Sequence, residues 1–326
     1  MTQSLDSGTL VTVFGGSGFV GRYAVRLLAK RGCRIRAAER RPDLAGHLQP
    51  MGGVGQIHAI QANVRYEESV RRAAEGAQVV VNCVAILAET GRQSFAAVNV
   101  EGARRVARAA KAAGARTLVH ISAIGADPKS TSRYARSRAA GEAAVLKEFP
   151  EAVILRLSLV FGPEDEFFNR FAGLARMAPF MPLIGGRTRM QPVYVGDVAE
   201  AIVAAAEGRA KPATVYELGG PQVFSFRELL EKTMGYAEQR RCLMPVPFWA
   251  AKLGAVLSKP APMALRPITL DQVRMLQHHN IVSDAARKEN RTLAGLGAGN
   301  GQAIETIVPA YLERFRPRGQ YAHYRG

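Results

Sequence analysis

Long apolar runs are missing from this 326-residue sequence. No stretch of about 18 uncharged apolar residues occurs, so no helix is expected to span a membrane. Cysteine is scarce: Cys33, Cys83 and Cys242 are scattered and odd in number. They give neither a disulfide framework nor a metal site, and they suit a reducing compartment. The opening Met-Thr-Gln-Ser-Leu-Asp-Ser has no basic segment leading into an apolar core. It also lacks the Arg-rich, acid-poor character of a mitochondrial presequence, so no targeting segment is expected there. Internal repeats and low-complexity linkers are absent as well. Acidic residues are in deficit, with 27 Asp and Glu against 44 Lys and Arg, which leaves a net charge of +17. Nucleic acid, an anionic membrane surface and acidic protein subunits are the partners such a charge admits. The cations are spread through the helices and no aromatic-basic nucleic-acid motif occurs, so no nucleic acid is expected. A charged docking surface explains the excess. Compositional drift is the alternative, because Arg far outnumbers Lys and both Ala and Gly abound.

What is present is a glycine cluster in a telling place. Gly15-Gly16-Ser17-Gly18-Phe19-Val20-Gly21 follows the apolar run Leu10-Val11-Thr12-Val13-Phe14, which reads as a buried strand. Val20, Ala24, Leu27 and Leu28 then recur at helical spacing. Strand, glycine turn and helix in that order form the context in which a glycine fingerprint signals a dinucleotide. Gly15 permits the tight turn, Gly18 lets the backbone approach a pyrophosphate, and Gly21 lets the helix pack closely. The free N–H groups and positive end of the helix then face the phosphates. The plainer alternative is a glycine-rich turn with no ligand.

Strand and helix patterns alternate through the first half, as parallel β-α-β units do. Strands are expected at Leu10–Phe14, Arg34–Ala38, Ile57–Gln61, Val79–Val84, Thr117–Ile121 and Val153–Leu157, with helices that include Phe95–Ala113 and Tyr134–Glu148. After about Gly162, Pro and Gly become frequent and irregular segments such as Ala178-Pro179-Phe180-Met181-Pro182 intervene. The expected organisation is a dinucleotide-binding domain over residues 1–162, with some strands or helices returning from the C-terminal half. A smaller lobe with a basic tail would occupy residues 163–326.

Seven segments in order carry a resemblance to the extended and atypical short-chain dehydrogenase/reductase superfamily. They are the Gly15–Gly21 fingerprint, Asn82-Cys83-Val84-Ala85, Asn99-Val100-Glu101-Gly102 and His120-Ile121-Ser122-Ala123, then Arg156–Pro163, Pro192–Ala199 and Tyr216–Gly220. The resemblance implies an α/β fold, a Rossmann-type doubly wound parallel sheet with a smaller C-terminal α/β lobe. A narrower set resembles one branch: Arg22, Ser122–Asp127, Tyr134–Glu142, Leu270–Leu276 and the tail Arg314–Gln320. That branch is the alpha-subcomplex "subunit nine" family of respiratory complex I, in its bacterial form, which the lack of a presequence fits. It implies an accessory subunit holding NADPH beside the quinone-binding region. Other complex I subunits would be its partners, with peripheral membrane contact at the cytoplasmic face of the bacterial inner membrane. A free NADP-dependent reductase or epimerase is the other reading.

The cofactor-binding set the resemblance implies comprises Gly15, Ser17, Gly18, Phe19, Val20, Gly21, Arg22, Arg40, Arg41, Asn63, Val84, Ala85, Ser122, Tyr134, Arg138 and Leu159. Glu39 stands 18 residues after Gly21, where an acid bonds the adenine ribose and favours NAD. Arg22, Arg40 and Arg41 oppose it, since guanidinium groups suit the 2′-phosphate of NADPH. Glu39 then has to turn away or pair with an Arg.

The superfamily's catalytic Tyr and Ser match Tyr134 and Ser122, but Arg138 stands where its Lys would be. A free Tyr titrates near pH ~10 and needs a nearby cation for acid–base work. A planar guanidinium in place of a compact ammonium is not a conservative exchange. Ser122 also precedes Tyr134 by only 12 residues, so the expectation is a degenerate, idle site. His278 and His279 are adjacent and face different ways on a helix, so no metal site is expected. Met244–Leu257 holds the only Trp, Trp249, and Lys252 within an apolar segment. It reads equally as interfacial, as a cover for a neighbour, or as ordinary core.

Overall fold

The computed structural model describes residues 5–258 and 268–317. Residues 1–4, 259–267 and 318–326 lie outside the described residues, including Arg318, Gly319 and Gln320 of the basic tail. The chain divides into two compact units. The first comprises Met1–Leu157, Val195–Leu218 and Val282–Gly299; the second comprises Ser158–Tyr194, Gly219–Ile281 and Asn300–Gly326.

In chain order the elements begin with β1 (Leu10–Phe14), α1 (Phe19–Lys30), β2 (Arg34–Glu39), β3 (Ile57–Gln61), α2 (Glu67–Ala74) and β4 (Val79–Asn82). Next come α3 (Glu101–Ala112), β5 (Thr117–Ala123), α4 (Arg133–Glu148), β6 (Val153–Leu157), β7 (Val160–Phe161), α5 (Phe168–Met177) and β8 (Phe180–Ile184). They are followed by β9 (Arg189–Met190), β10 (Val193–Tyr194), α6 (Val195–Ala206), β11 (Val215–Leu218), β12 (Phe224–Ser225) and α7 (Phe226–Tyr236). The last are β13 (Cys242–Val246), α8 (Phe248–Leu257), α9 (Leu270–Met275), α10 (Asp284–Lys288) and α11 (Ile304–Leu312).

The first unit is built on a seven-stranded parallel sheet in the order β11-β6-β5-β4-β1-β2-β3. β4 is buried along its whole length, as a strand covered by helices on both faces must be. Helices α2, α3 and α4 pack together along one face, while α1 and α6 pack on each other. Val70, Val106, Leu118 and Ile154 join the core under the first group. Strand order reverses between β1 and β4, and ligands of such sheets bind at that reversal, outside the carboxyl ends of the strands.

Two expectations need local correction here. The strand expected to reach Val84 stops at Asn82, whose Oδ1 accepts from the Val84 N–H at 3.1 Å and turns the chain out of the ladder. The helix expected from Phe95 opens with a π-helical turn over Ala96–Val100. That wide turn lets Asn99 bond the Ile86 backbone in both directions and donate to the Ser137 hydroxyl. Its carbonyl also runs so close to α4 that a Cβ on Gly141 would sit 2.3 Å from the Asn99 oxygen.

In the second unit, Phe161, Phe168, Leu229 and Val308 form one core, and Met181, Phe226 and Leu230 another. The segment Ala178–Pro182, expected to be irregular, contributes β8, which runs parallel to β13 from Phe180↔Cys242 to Ile184↔Val246. Pro182 is tolerated because this ladder has only two strands, so its missing N–H can face outward. The apolar segment Met244–Leu257 divides between β13 and α8. Ala251 and Ala255 of α8 are buried with Val273, whereas Trp249 is 71% exposed.

Candidate functional site

Four chain segments converge at the carboxyl edge of the parallel sheet: the turn after β1, the end of β2, the exit from β4 and the end of β5. The turn holds Gly15 at φ +77°, a conformation that strains any residue with a Cβ. Its N–H donates to the Ala38 carbonyl at 3.1 Å, and the Cys83 N–H donates to the Phe14 carbonyl at 2.9 Å. A Cβ on Gly15 would lie 3.2 Å from Val84 Cγ2, and one on Gly21 only 2.0 Å from the Gly15 oxygen. Gly21 therefore packs α1 against the turn's own backbone rather than against a strand side chain. α1 begins after Gly18 with no side-chain cap and no acid in its first turn. Such an end favours an anion.

Charged side chains flank the turn. The Glu39 carboxylate accepts from the Ser17 N–H at 2.5 Å and is nearly buried. Burial pushes its carboxyl above the usual range, opposed by the Ser17 bond and by the Arg40 charge. Glu39 thus bonds the glycine turn instead of pairing with an Arg. Arg22 folds back on the turn, donating from Nη2 to the Ser17 carbonyl at 2.9 Å. Arg40 donates to Gln93 at 2.7 Å, and Arg41 pairs with Asp43 at 2.7 Å.

The other expected residues distribute as follows. Phe19 and Val20 open α1, and Phe19 stacks edge-on with Tyr23. Asn63 Oδ1 accepts from the Arg65 N–H at 3.1 Å in the turn after β3. Val84 and Ala85 leave the end of β4. Leu159 belongs to the second unit, packed on its Phe161 core. His279, read as half of a histidine pair, accepts from the Arg189 N–H at 3.0 Å. Among the described residues, no group of three His, Cys, Asp or Glu could hold a metal ion.

Ser122, Tyr134 and Arg138 are all buried. Tyr134 packs edge-on against Phe95 with ring centroids 6.0 Å apart. Arg138 is 2% exposed and donates from Nη2 to the Ile121 carbonyl, which β4 leaves unpaired by stopping at Asn82. Its Nε and Nη1 have no hydrogen-bond partner. Beside it, His120 Nδ1 accepts from Asn82 Nδ2 at 3.1 Å, and its Nε2 has no partner. Burial, reinforced by the Arg138 charge, pulls His120 down to about 3.

Sequence reasoning missed the group that holds Ser122. The Ser122 hydroxyl donates to Glu142, and Arg156 grips the same carboxylate from Nε at 2.9 Å and Nη2 at 2.7 Å. Arg156 also faces Glu217 at 3.7 Å. A forked pair of this kind is strong and directional. The Ser122 proton is thereby directed at Glu142. A signal was present in the sequence. Arg156 interrupts the apolar strand Val153–Leu157 and Glu217 interrupts Val215–Leu218, and charges in buried strands require partners.

Together these features fit an anionic, oxygen-rich ligand. The turn has no room for Cβ atoms, the helix end is uncapped, and a buried guanidinium offers two N–H groups without acceptors. The family model described as NAD dependent epimerase/dehydratase family matches residues 11–219. Among curated proteins, NADH dehydrogenase (ubiquinone) 1 alpha subcomplex subunit 9, mitochondrial, of Arabidopsis thaliana is 38% identical, covering 88% of this chain and 74% of its own length. The ceramide reductase of Caulobacter vibrioides is 33% identical, covering 62% of each chain. Among solved structures, the UDP-glucose 4-epimerase of Thermus thermophilus in complex with NAD matches with a TM-score of 0.67. It is 21% identical over 95% of this chain and 99% of its own, which is a likeness of fold.

His120 makes a pH signature measurable. Its folded value lies far below its ordinary 6.5, so below that pH the unfolded chain takes up a proton that the folded chain refuses. Stability therefore falls as pH drops from about 6.5 toward 3, by up to ~1.4 kcal/mol per pH unit. Urea unfolding of wild type and His120→Gln across this range should show the extra slope in wild type alone; equal slopes would refute it.

Proposed function

The chain belongs to the NAD dependent epimerase/dehydratase family, has its NAD(P)-binding fold and is a homologue of complex I subunit 9, and from that premise we propose that it is an accessory subunit of a bacterial respiratory NADH:ubiquinone oxidoreductase. In this reading it holds NADPH as a structural ligand and does not turn it over. One observation carries the non-catalytic part. Ser122 is bound to Glu142, and the cation beside Tyr134 in sequence is an Arg whose Nη2 is committed to the Ile121 carbonyl. Neither group is set to protonate or polarise a substrate oxygen.

The nucleotide supplies a diphosphate and ribose hydroxyls when bound. The Gly15–Gly21 backbone would take the diphosphate, and the two unpartnered N–H groups of Arg138 would take hydroxyl oxygens. Binding to the folded state alone stabilises it by mass action. NADPH is favoured over NADH because Glu39 is turned onto Ser17, and Arg22 and Arg40, which bond only neutral acceptors among the contacts described above, would turn to a 2′-phosphate, whereas Arg41 would first have to leave Asp43. The subunit would dock through basic surfaces at the cytoplasmic face, near the quinone-binding region. Among the described residues, no helix is long and apolar enough to cross a membrane, which accords with peripheral attachment. The second reading, a free NADP-dependent reductase or epimerase, is favoured by the likeness to the Caulobacter reductase.

Extraction of bacterial membranes in mild detergent separates the two readings. The chain should co-purify with the quinone reductase and release NADPH on denaturation. A soluble enzyme that reduces carbonyls, or a preparation releasing no pyridine nucleotide, would reject the proposal.

Two substitutions test the ligand's contacts by calorimetry. Glu39→Gln keeps an acceptor for the Ser17 N–H without its charge, so NADPH affinity should rise several-fold over NADH, most clearly at low salt. No gain, or an equal gain for NADH, would remove the charge conflict as the basis of preference. Arg138→Met removes a buried cation whose Nε and Nη1 have no partner. Nucleotide affinity should drop about ten- to a hundredfold, while the nucleotide-free melting temperature changes little, because loss of the bond to the Ile121 carbonyl offsets removal of a buried charge. Unchanged affinity would show that Arg138 does not meet the nucleotide.

A further inference from the structure

Exposed apolar side chains are unevenly placed on this molecule. Among the described residues, seven of the eleven exposed large hydrophobics lie in the second unit. Trp249, Leu253 and Leu257 recur at four-residue spacing on α8, with exposures of 71%, 54% and 71%, and so form one stripe. The opposite edge of the same helix, Ala251 and Ala255, is buried with Val273. On the preceding strand, Met244 is opposite Pro182 and Cys242 opposite Phe180; all four point to one side and are exposed. Apolar surface of this extent on a soluble chain marks an interaction site.

Charge is unevenly placed in the same part of the chain. Residues 167–194 and 239–270, which contain α5, β8, β13 and α8, hold nine Lys and Arg and not one Asp or Glu. More than half of the net charge of +17 therefore falls on these two stretches, which are under a fifth of the 326 residues. Arg176, Arg187, Arg189 and Arg240 are exposed.

We propose that the β13–α8 surface of the second unit docks on an anionic phospholipid bilayer. This rests on the reading of the chain as a peripheral subunit of a membrane complex and names the surface involved. A short helix with a Trp-Leu-Leu stripe on one edge, in a stretch of chain whose charged residues are all cations, suits the headgroup plane. Anionic headgroups attract the cations, and the acyl boundary receives the stripe. α8 has 10 residues, too few to span the hydrocarbon, so the contact stays peripheral. A protein partner would have to supply a matching apolar groove and a dense acidic rim at the same place; an anionic leaflet supplies both everywhere.

Trp249 is the chain's single tryptophan, so its fluorescence reports this surface alone. The purified full-length protein is mixed with vesicles of phosphatidylcholine, with or without about 30 mol % phosphatidylglycerol. The expected result is flotation with the anionic vesicles, at least about tenfold tighter than with neutral ones, weakened by salt and accompanied by a blue shift of emission. Leu253→Ser with Leu257→Ser should abolish the blue shift, and Arg176→Glu with Arg187→Glu should abolish the preference for anionic lipid. All four side chains are exposed, so the melting temperature should hold, and Leu44→Ser in the first unit should bind as wild type does. Absence of flotation and blue shift in a chain that still co-purifies with the quinone reductase would overturn the proposal and assign the surface to a neighbouring subunit. Vesicle binding by a chain that does not co-purify would uphold the lipid surface and overturn the assembly reading.

Discussion

The close approach of three backbones at one point is the constraint on which the nucleotide site depends. The Gly15 carbonyl lies where a Cβ on Gly21 would have to be, and Val84 presses on Gly15 from the neighbouring strand exit. A side chain at Gly21 would push α1 away from the turn, and one at Gly15 would press on the exit of β4. The end of α1 would then no longer point its unpaired N–H groups across the reversal between β1 and β4. The packing that seats the first helix therefore also shapes the turn at the carboxyl edge of the sheet.

Around that construction the polar groups are held by one another. Glu39 is drawn onto Ser17, Ser122 onto Glu142, and Arg138 onto the Ile121 carbonyl. Each contact gives a group a partner within the protein. The exception is informative, because Arg138 retains two N–H groups with no acceptor inside a buried site. Leaving donors unpaired away from water is costly, and an oxygen-bearing ligand removes that cost. Arg156 in turn holds the Glu142 carboxylate in place through a forked pair.

The second unit adds a different asymmetry. Its exposed apolar side chains and an excess of cations in the sequence occupy the same stretches of chain, whereas elsewhere acids and bases are more nearly balanced. Small buried residues on one edge of α8 and large exposed ones on the other show that the helix is half satisfied by its own unit.

Much of the nucleotide-binding unit was legible in the primary structure. Apolar runs such as Val79–Val81, with glycines after β1 and helical spacing beyond, determine strand, turn and helix through local sterics and periodicity. The six strands and the glycine cradle follow from those local rules. Tertiary structure alone decided the rest. Val215–Leu218 joins the sheet beside β6 across a long sequence gap, and β8 forms only because β13 lies alongside it. Glu142 and Arg156 meet because α4 packs on β5 and β6, and no spacing along the chain encodes that contact. Whether Glu39 faces a ribose or Ser17, and whether Trp249 faces core or solvent, likewise depended on packing. A residue's type states what it can bond, but only the surrounding fold sets which partner is within reach.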